Sequence, residues 1–199
     1  MQEKGNTMTK MTKAALAQII TERNDALRAK YASKAANAQK RIAVATAFYA
    51  SDRAQTAMLT YGVDVDALYK LCDKSHDRFV KVTDALIRGD LTLRDDRDQN
   101  RYTFGLIRSA IAANAANAKL TKSDILATGS KRDDASEFVT VSRRIMSDST
   151  AERQTGIAQY VLTALGVATR VRNLNNKIDF DVNVKSAAYK RFVELLAVA

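Results

Sequence analysis

Proline and tryptophan are absent from this chain of 199 residues, and cysteine and histidine occur once each. Each gap excludes something. Without proline, no helix need be broken by a missing N–H or a fixed φ. The lone thiol, Cys72, cannot close an intramolecular disulfide, so nothing points to an oxidising compartment and the cytoplasm is the expected location. With His76 the only imidazole, a metal site would have to lean on carboxylates. Cys72 and His76, four positions apart, supply two ligands at most. The same pair as nucleophile and base would lack an orienting third group and an oxyanion site. Asp90, Asp95, Asp96 and Asp98 do not have the spacing of a calcium loop and read as a solvated charge run. There is no glycine-rich phosphate loop and no Gly-x-Ser-x-Gly elbow. The expectation is a non-enzymatic protein that needs neither cofactor nor metal. No run approaches the ~18 apolar residues of a membrane span, and Met1 to Lys13 lacks the apolar stretch of a signal peptide, so neither insertion nor export is expected.

What is present is alanine and positive charge. Apolar residues make up 46% of the chain, enough to bury a core, and alanine dominates them, which favours helices. The net charge is +10. It is unevenly spread: residues 1–50 carry +6, 51–100 carry −2, and 101–150 and 151–199 carry +3 each. Such a balance makes an anionic partner, first of all nucleic acid, the leading expectation. Lys30, Lys34, Lys40 and Arg41 form a basic cluster with no acid between Lys30 and Tyr49, read either as a solvated helix face or as a phosphate track.

Residues 1–10 read as a flexible tail. A helix should start near Thr9 or Thr12, with Leu16, Ile19, Ile20, Leu27 and Tyr31 inward, and it could run on through the alanine-rich stretch to Ile42 and Phe48. Ser51 is a cap and Gly62 a stop for the next helix. Asp64 or Asp66 caps a short one with Leu68, Leu71 and Cys72 inward, and Ser75 opens another that ends at Gly89. The mixed-charge segment Arg94 to Asn100 is the expected boundary between a helical region, 11–93, for dimerisation or partner contact, and a second module, 101–199.

That second module should open with a helix from Tyr102 to Ala118. Thr121 and Asp124 have the form of a capping box before a short segment that stops at Gly129. Asp133 or Asp134 caps a helix holding Phe138, Val141, Ile145 and Met146, and Ser149-Thr150 caps one that ends at Gly166. The period then changes from 3.6 to 2. Val167 to Asn173 and Lys177 to Val184 alternate about Asn175-Asn176, a two-residue turn that sets Arg172 opposite Asp179, Arg170 opposite Asp181, Val171 opposite Phe180 and Thr169 opposite Val182. A last helix covers Ser186 to Ala199.

Helices, then a helix ending Ala-Leu-Gly-Val, then a hairpin with a basic first strand: the stretch from Ile157 to Val182 resembles the winged helix-turn-helix class of DNA-binding domains. The resemblance implies a recognition helix over Ala151 to Leu165, with Arg153, Gln154, Thr155 and Gln159 exposed to read base edges. It implies a wing carrying Arg170, Arg172, Asn173, Asn175, Asn176 and Lys177. Arg143, Arg144, Lys119 and Lys122 would hold phosphates. In typical members the second and third helices are close in sequence. Here a helix from Asp134 to Met146 would stand between them, so either it is the second helix or the topology differs.

The expected fold is mostly α with one C-terminal β-hairpin, winged-helix-like. The expected function is non-enzymatic binding of nucleic acid, duplex DNA first, in regulation or replication accessory work, with no membrane partner and with residues 11–93 available for a homodimer or a protein partner. The rival from another class is a structural or assembly protein, a helical component of a larger particle, or a protein-binding inhibitor.

Overall fold

Thr12 begins the first helix as its sequence suggests, its hydroxyl accepting from the Ala15 N–H at 3.2 Å. The computed structural model describes residues 11–91, 100–141, 145–172 and 178–197, with backbone alone for 170–172, 178 and 179. The expected tail and the boundary segment at 94–99 lie outside them. α1 (Lys13–Tyr31) and α2 (Ala36–Ala50) are separate helices, because the chain turns at residues 32–35. Antiparallel packing follows: Asn24, buried on α1, donates to the Thr46 carbonyl at 3.0 Å, and Leu16, Ile20 and Leu27 line the buried stripe. Ser51 caps α3 (Asp52–Tyr61), and Asp64 caps α4 (Val65–Tyr69), accepting from the Ala67 N–H at 2.9 Å.

α5 (Asp73–Arg88) starts two residues before Ser75, which is buried inside it. Cys72, expected inward, stands exposed at its N-cap. One turn later Tyr49, Tyr69, His76 and Phe79 form an aromatic cluster, in which the Tyr49 hydroxyl and His76 Nδ1 are 2.8 Å apart.

The second half holds α6 (Asn100–Ala115), α7 (Lys122–Ala127), α8 (Asp148–Ala164), β1 (Ala168–Arg172), β2 (Ile178–Val182) and α9 (Ala187–Ala197). The protein is therefore mostly helical with one antiparallel hairpin near its C-terminus. α8 lies at the centre, packed by α4, α5, α6 and α7. The two regions expected at 11–93 and 101–199 share a single core running from Leu16 to Phe192, and an Asp64 N–H donates across to the Ala164 carbonyl at 2.9 Å.

α8 starts at Asp148 with Ser147 as its N-cap, ahead of the expected Ser149-Thr150, and two further elements differ. No helix forms between 131 and 141 or at 145–147; Val141 and Ile145, expected inward, are exposed. Distant side chains hold this segment in another path, and one of them takes an N–H, that of Thr140, which such a helix would need. Ser136 donates to Asp124 at 2.7 Å and Thr140 to the buried Ser109 hydroxyl at 2.9 Å, while Asp134 accepts from Ser123. The hairpin register is shifted by one residue: Ala168 pairs with Val182, Thr169 with Asp181, Arg170 with Phe180, Val171 with Asp179 and Arg172 with Ile178. The helix exit decides this. Gly166, at φ +69°, and Val167 close α8 with bonds to Thr163 and Leu162, which turns Ala168 into the core. Phe180, the bulkiest apolar residue on β2, has to share that face, and a one-residue slip would turn it to solvent.

Candidate nucleic-acid interface

Because α8 is enclosed by four helices, most of its surface is spoken for. Ala151, Gln154, Thr155, Ile157, Ala158, Val161, Leu162 and Ala164 are buried. A single strip remains outward, made by Glu152, Arg153, Gly156, Gln159, Tyr160 and Thr163 at helical spacing.

Of the expected base-reading residues, Arg153 is exposed and Gln159 half-buried on that strip. Gln154 and Thr155 are not available: they are only 8% and 2% exposed. Gln154 Oε1 accepts from Arg78 Nη2 at 2.6 Å, and its carbonyl accepts from Nη1 at 3.2 Å. Arg78, itself buried on α5, thus clamps the inner side of α8 to the first half of the chain. The Thr155 hydroxyl turns back to the Ala151 carbonyl at 2.8 Å. Tyr160, half exposed at 50%, joins the strip; its spacing from Arg153, seven residues or two turns on, was the only signal for it.

The expected phosphate anchors divide. Lys119 Nζ lies 3.1 Å from Asp181, and Lys122 Nζ lies 3.5 Å from Glu152, so each meets an acid at the surface. In the observed register Asp181 stands opposite Thr169, not opposite the expected Arg170, and it meets Lys119. Arg143, Arg144, Asn173, Asn175, Asn176 and Lys177 lie outside the described residues. Arg170 and Arg172 stand on β1 opposite Phe180 and Ile178.

The helix entering this region is set by the expected capping box. Thr121 Oγ1 accepts from the Asp124 N–H at 3.1 Å, and Asp124 Oδ2 accepts from the Thr121 N–H at 2.8 Å. Burial pushes the Asp124 carboxyl up, but the hydrogen bonds from Ser136 and Thr121 outweigh it and hold the carboxyl below its ordinary value. No family model, curated protein or solved structure matches this chain. Among the described residues, no three His, Cys, Asp or Glu side chains converge as a metal site would require. No described helix is long and apolar enough to cross a membrane.

Without the expected helix at 134–146, α7 is the helix that precedes α8, joined to it by residues 128–147. Both α6 and α7 pack on α8, and β1 packs on its C-terminal end. The base of the hairpin is tied there as well. The Asn183 N–H donates to the Val167 carbonyl at 2.8 Å, and Asn183 Nδ2 to the Gly166 carbonyl at 3.2 Å.

Proposed function

We propose that the protein binds duplex DNA without catalysing a reaction, presenting the outward strip of α8 to a groove and the β1–β2 hairpin to the backbone beside it. The observation that carries this reading is the outward strip itself: a helix held on all other sides leaves Arg153 and Tyr160 in line two turns apart, with the half-buried Gln159 on the strip's other edge, directly ahead of the hairpin. Those side chains offer a guanidinium and an amide for base edges and a ring for stacking or sugar contact. The net charge of +10 supplies the long-range attraction that such binding needs. In this reading α6, α7 and α8 correspond to the three helices of a winged helix-turn-helix, and a regulatory or replication accessory role fits.

The test is binding of the full chain to a labelled random duplex at several salt concentrations. Log affinity should fall steeply with log salt, and Arg153→Ala, Arg172→Ala and Lys177→Ala should each weaken binding with the fold intact. Absence of binding even at low salt would remove the reading and favour the assembly alternative, in which the basic surface meets an acidic protein.

A further inference from the structure

The basic cluster noted on the first two helices acquires neighbours in three dimensions. Arg41 Nη1 lies 2.5 Å from Asp73, and the Tyr31 hydroxyl lies against the Asp73 backbone and Cys72. The end of α1, the start of α2 and the start of α5 therefore meet at one corner. Helix directions agree: Arg41 meets Asp73 while Tyr49 meets His76 and Phe79, so α2 and α5 run the same way and both begin here. Lys30, Lys34, Lys40, Arg41, Lys70 and Lys74 gather around this corner, and all five lysines are exposed.

The acids nearest in sequence are taken by other cations: Asp73 by Arg41, Asp77 by Lys81 and Asp66 by Arg23. The chain has no acid between Asp25 and Asp52. Among the described residues none of the five lysines has an ion-pair partner, and Lys30 lies over the Tyr31 ring at 5.6 Å.

Helix stability does not account for the cluster. The negative end of α1 suits Arg28 and Lys30 in its last turn. Lys34, just ahead of α2, and Lys74, in the first turn of α5, lie where the helix dipole disfavours a cation. Neither helix start is closed by a side chain, since Ala35 and Cys72 make no capping bond, as Ser147 ahead of α8 makes none. Positive charge is thus concentrated against the local electrostatic preference, as an anionic partner would reward. A protein partner would call for an apolar centre as well, and Val44 is the single large hydrophobic side chain exposed on α1 and α2.

We propose that this corner is a second contact for the phosphate backbone of duplex DNA, built from three helices none of which is α8. It reads no sequence; it holds phosphates as a row of point charges does. Its residues are independent of the α8 strip, so the two assignments can fail separately.

The experiment is amide chemical-shift mapping of the full chain with a short duplex at low salt, followed by the salt dependence of affinity for Lys30→Gln/Lys34→Gln/Lys74→Gln. The expected result is shifts in residues 30–41 and 70–76, and a log–log salt slope reduced by about 2 to 3, since each phosphate contact contributes roughly 0.9. Shifts at this corner without any in 152–163 would uphold the corner and remove the α8 strip from the interface. Shifts confined to 152–163, or an unchanged slope in the triple variant, would overturn the corner and leave the α8 reading in place. No shifts anywhere would overturn both and leave an acidic protein as the partner.

Discussion

His76 shows how tightly a single side chain can be bound to the fold. It is fully buried, its Nδ1 meets the Tyr49 hydroxyl, and its Nε2 has no hydrogen-bond partner among the described residues. Burial, with Lys30 adding to it and Asp73 opposing, pushes its pKa down to about 4 from the ordinary 6.5. The unfolded chain therefore binds the proton more readily than the folded one between these values. The contribution is full above pH 6.5 and is lost as pH falls toward 4. As the only histidine, His76 should account for a fall of about 2 kcal/mol between pH 7.5 and 5, before most carboxylates titrate. Urea unfolding across that range would show it, and His76→Phe should flatten the profile. On α8, neighbours in sequence should behave oppositely. Gln154→Ala leaves part of the buried Arg78 guanidinium without its acceptor and should cost about 1–3 kcal/mol, whereas Arg153→Ala should change stability by less than about 0.5 kcal/mol. Equal effects in thermal melts would contradict the inward and outward assignment of the two side chains.

At the scale of elements, helix boundaries were the most legible feature, because capping is decided within four residues. Thr12, Ser51, Asp64, the Thr121–Asp124 box and the stops at Gly62, Gly89 and Gly166 all act where their chemistry suggested. Thr121→Ala should cost about 1 kcal/mol by removing the hydroxyl that accepts from the Asp124 N–H while the Thr121 N–H keeps its bond to Asp124, read as a lower denaturation midpoint with unchanged m. Gly166→Ala should cost about 1–2 kcal/mol, since φ is positive there and an added Cβ would lie 3.2 Å from the Gly62 carbonyl. What the sequence concealed depends on distant partners. The segment at 134–146 has helical periodicity, but Ser109 claims the Thr140 N–H that such a helix would use. The hairpin offered two registers one residue apart, and the complementary charges of Arg170 and Asp181 favoured the wrong one. Burial of Ala168 and Phe180 on a common face outweighs an exposed ion pair of a few tenths of a kcal/mol. For the candidate interface, Arg153 and Gln159 were readable as polar positions early on the helix. That Gln154 and Thr155 point inward was not, because the helix packed against them comes from more than seventy residues earlier.

For the whole molecule, the shared core implies a single cooperative unit. Helical and aromatic circular dichroism signals should lose amplitude at the same temperature; two separated transitions would show that 11–93 and 101–199 fold independently after all. The same arrangement bears on synthesis. The chain leaves the ribosome N-terminus first, and α1 to α5 emerge while α8, which packs on both α4 and α5, is still unmade. Until α8 follows, Leu68 and Phe79 belong to an unfinished core. The N-terminal half must then wait in a partly open state, a period in which it is most exposed to chaperones, proteases and aggregation, and slow codons ahead of residue 148 would lengthen that wait.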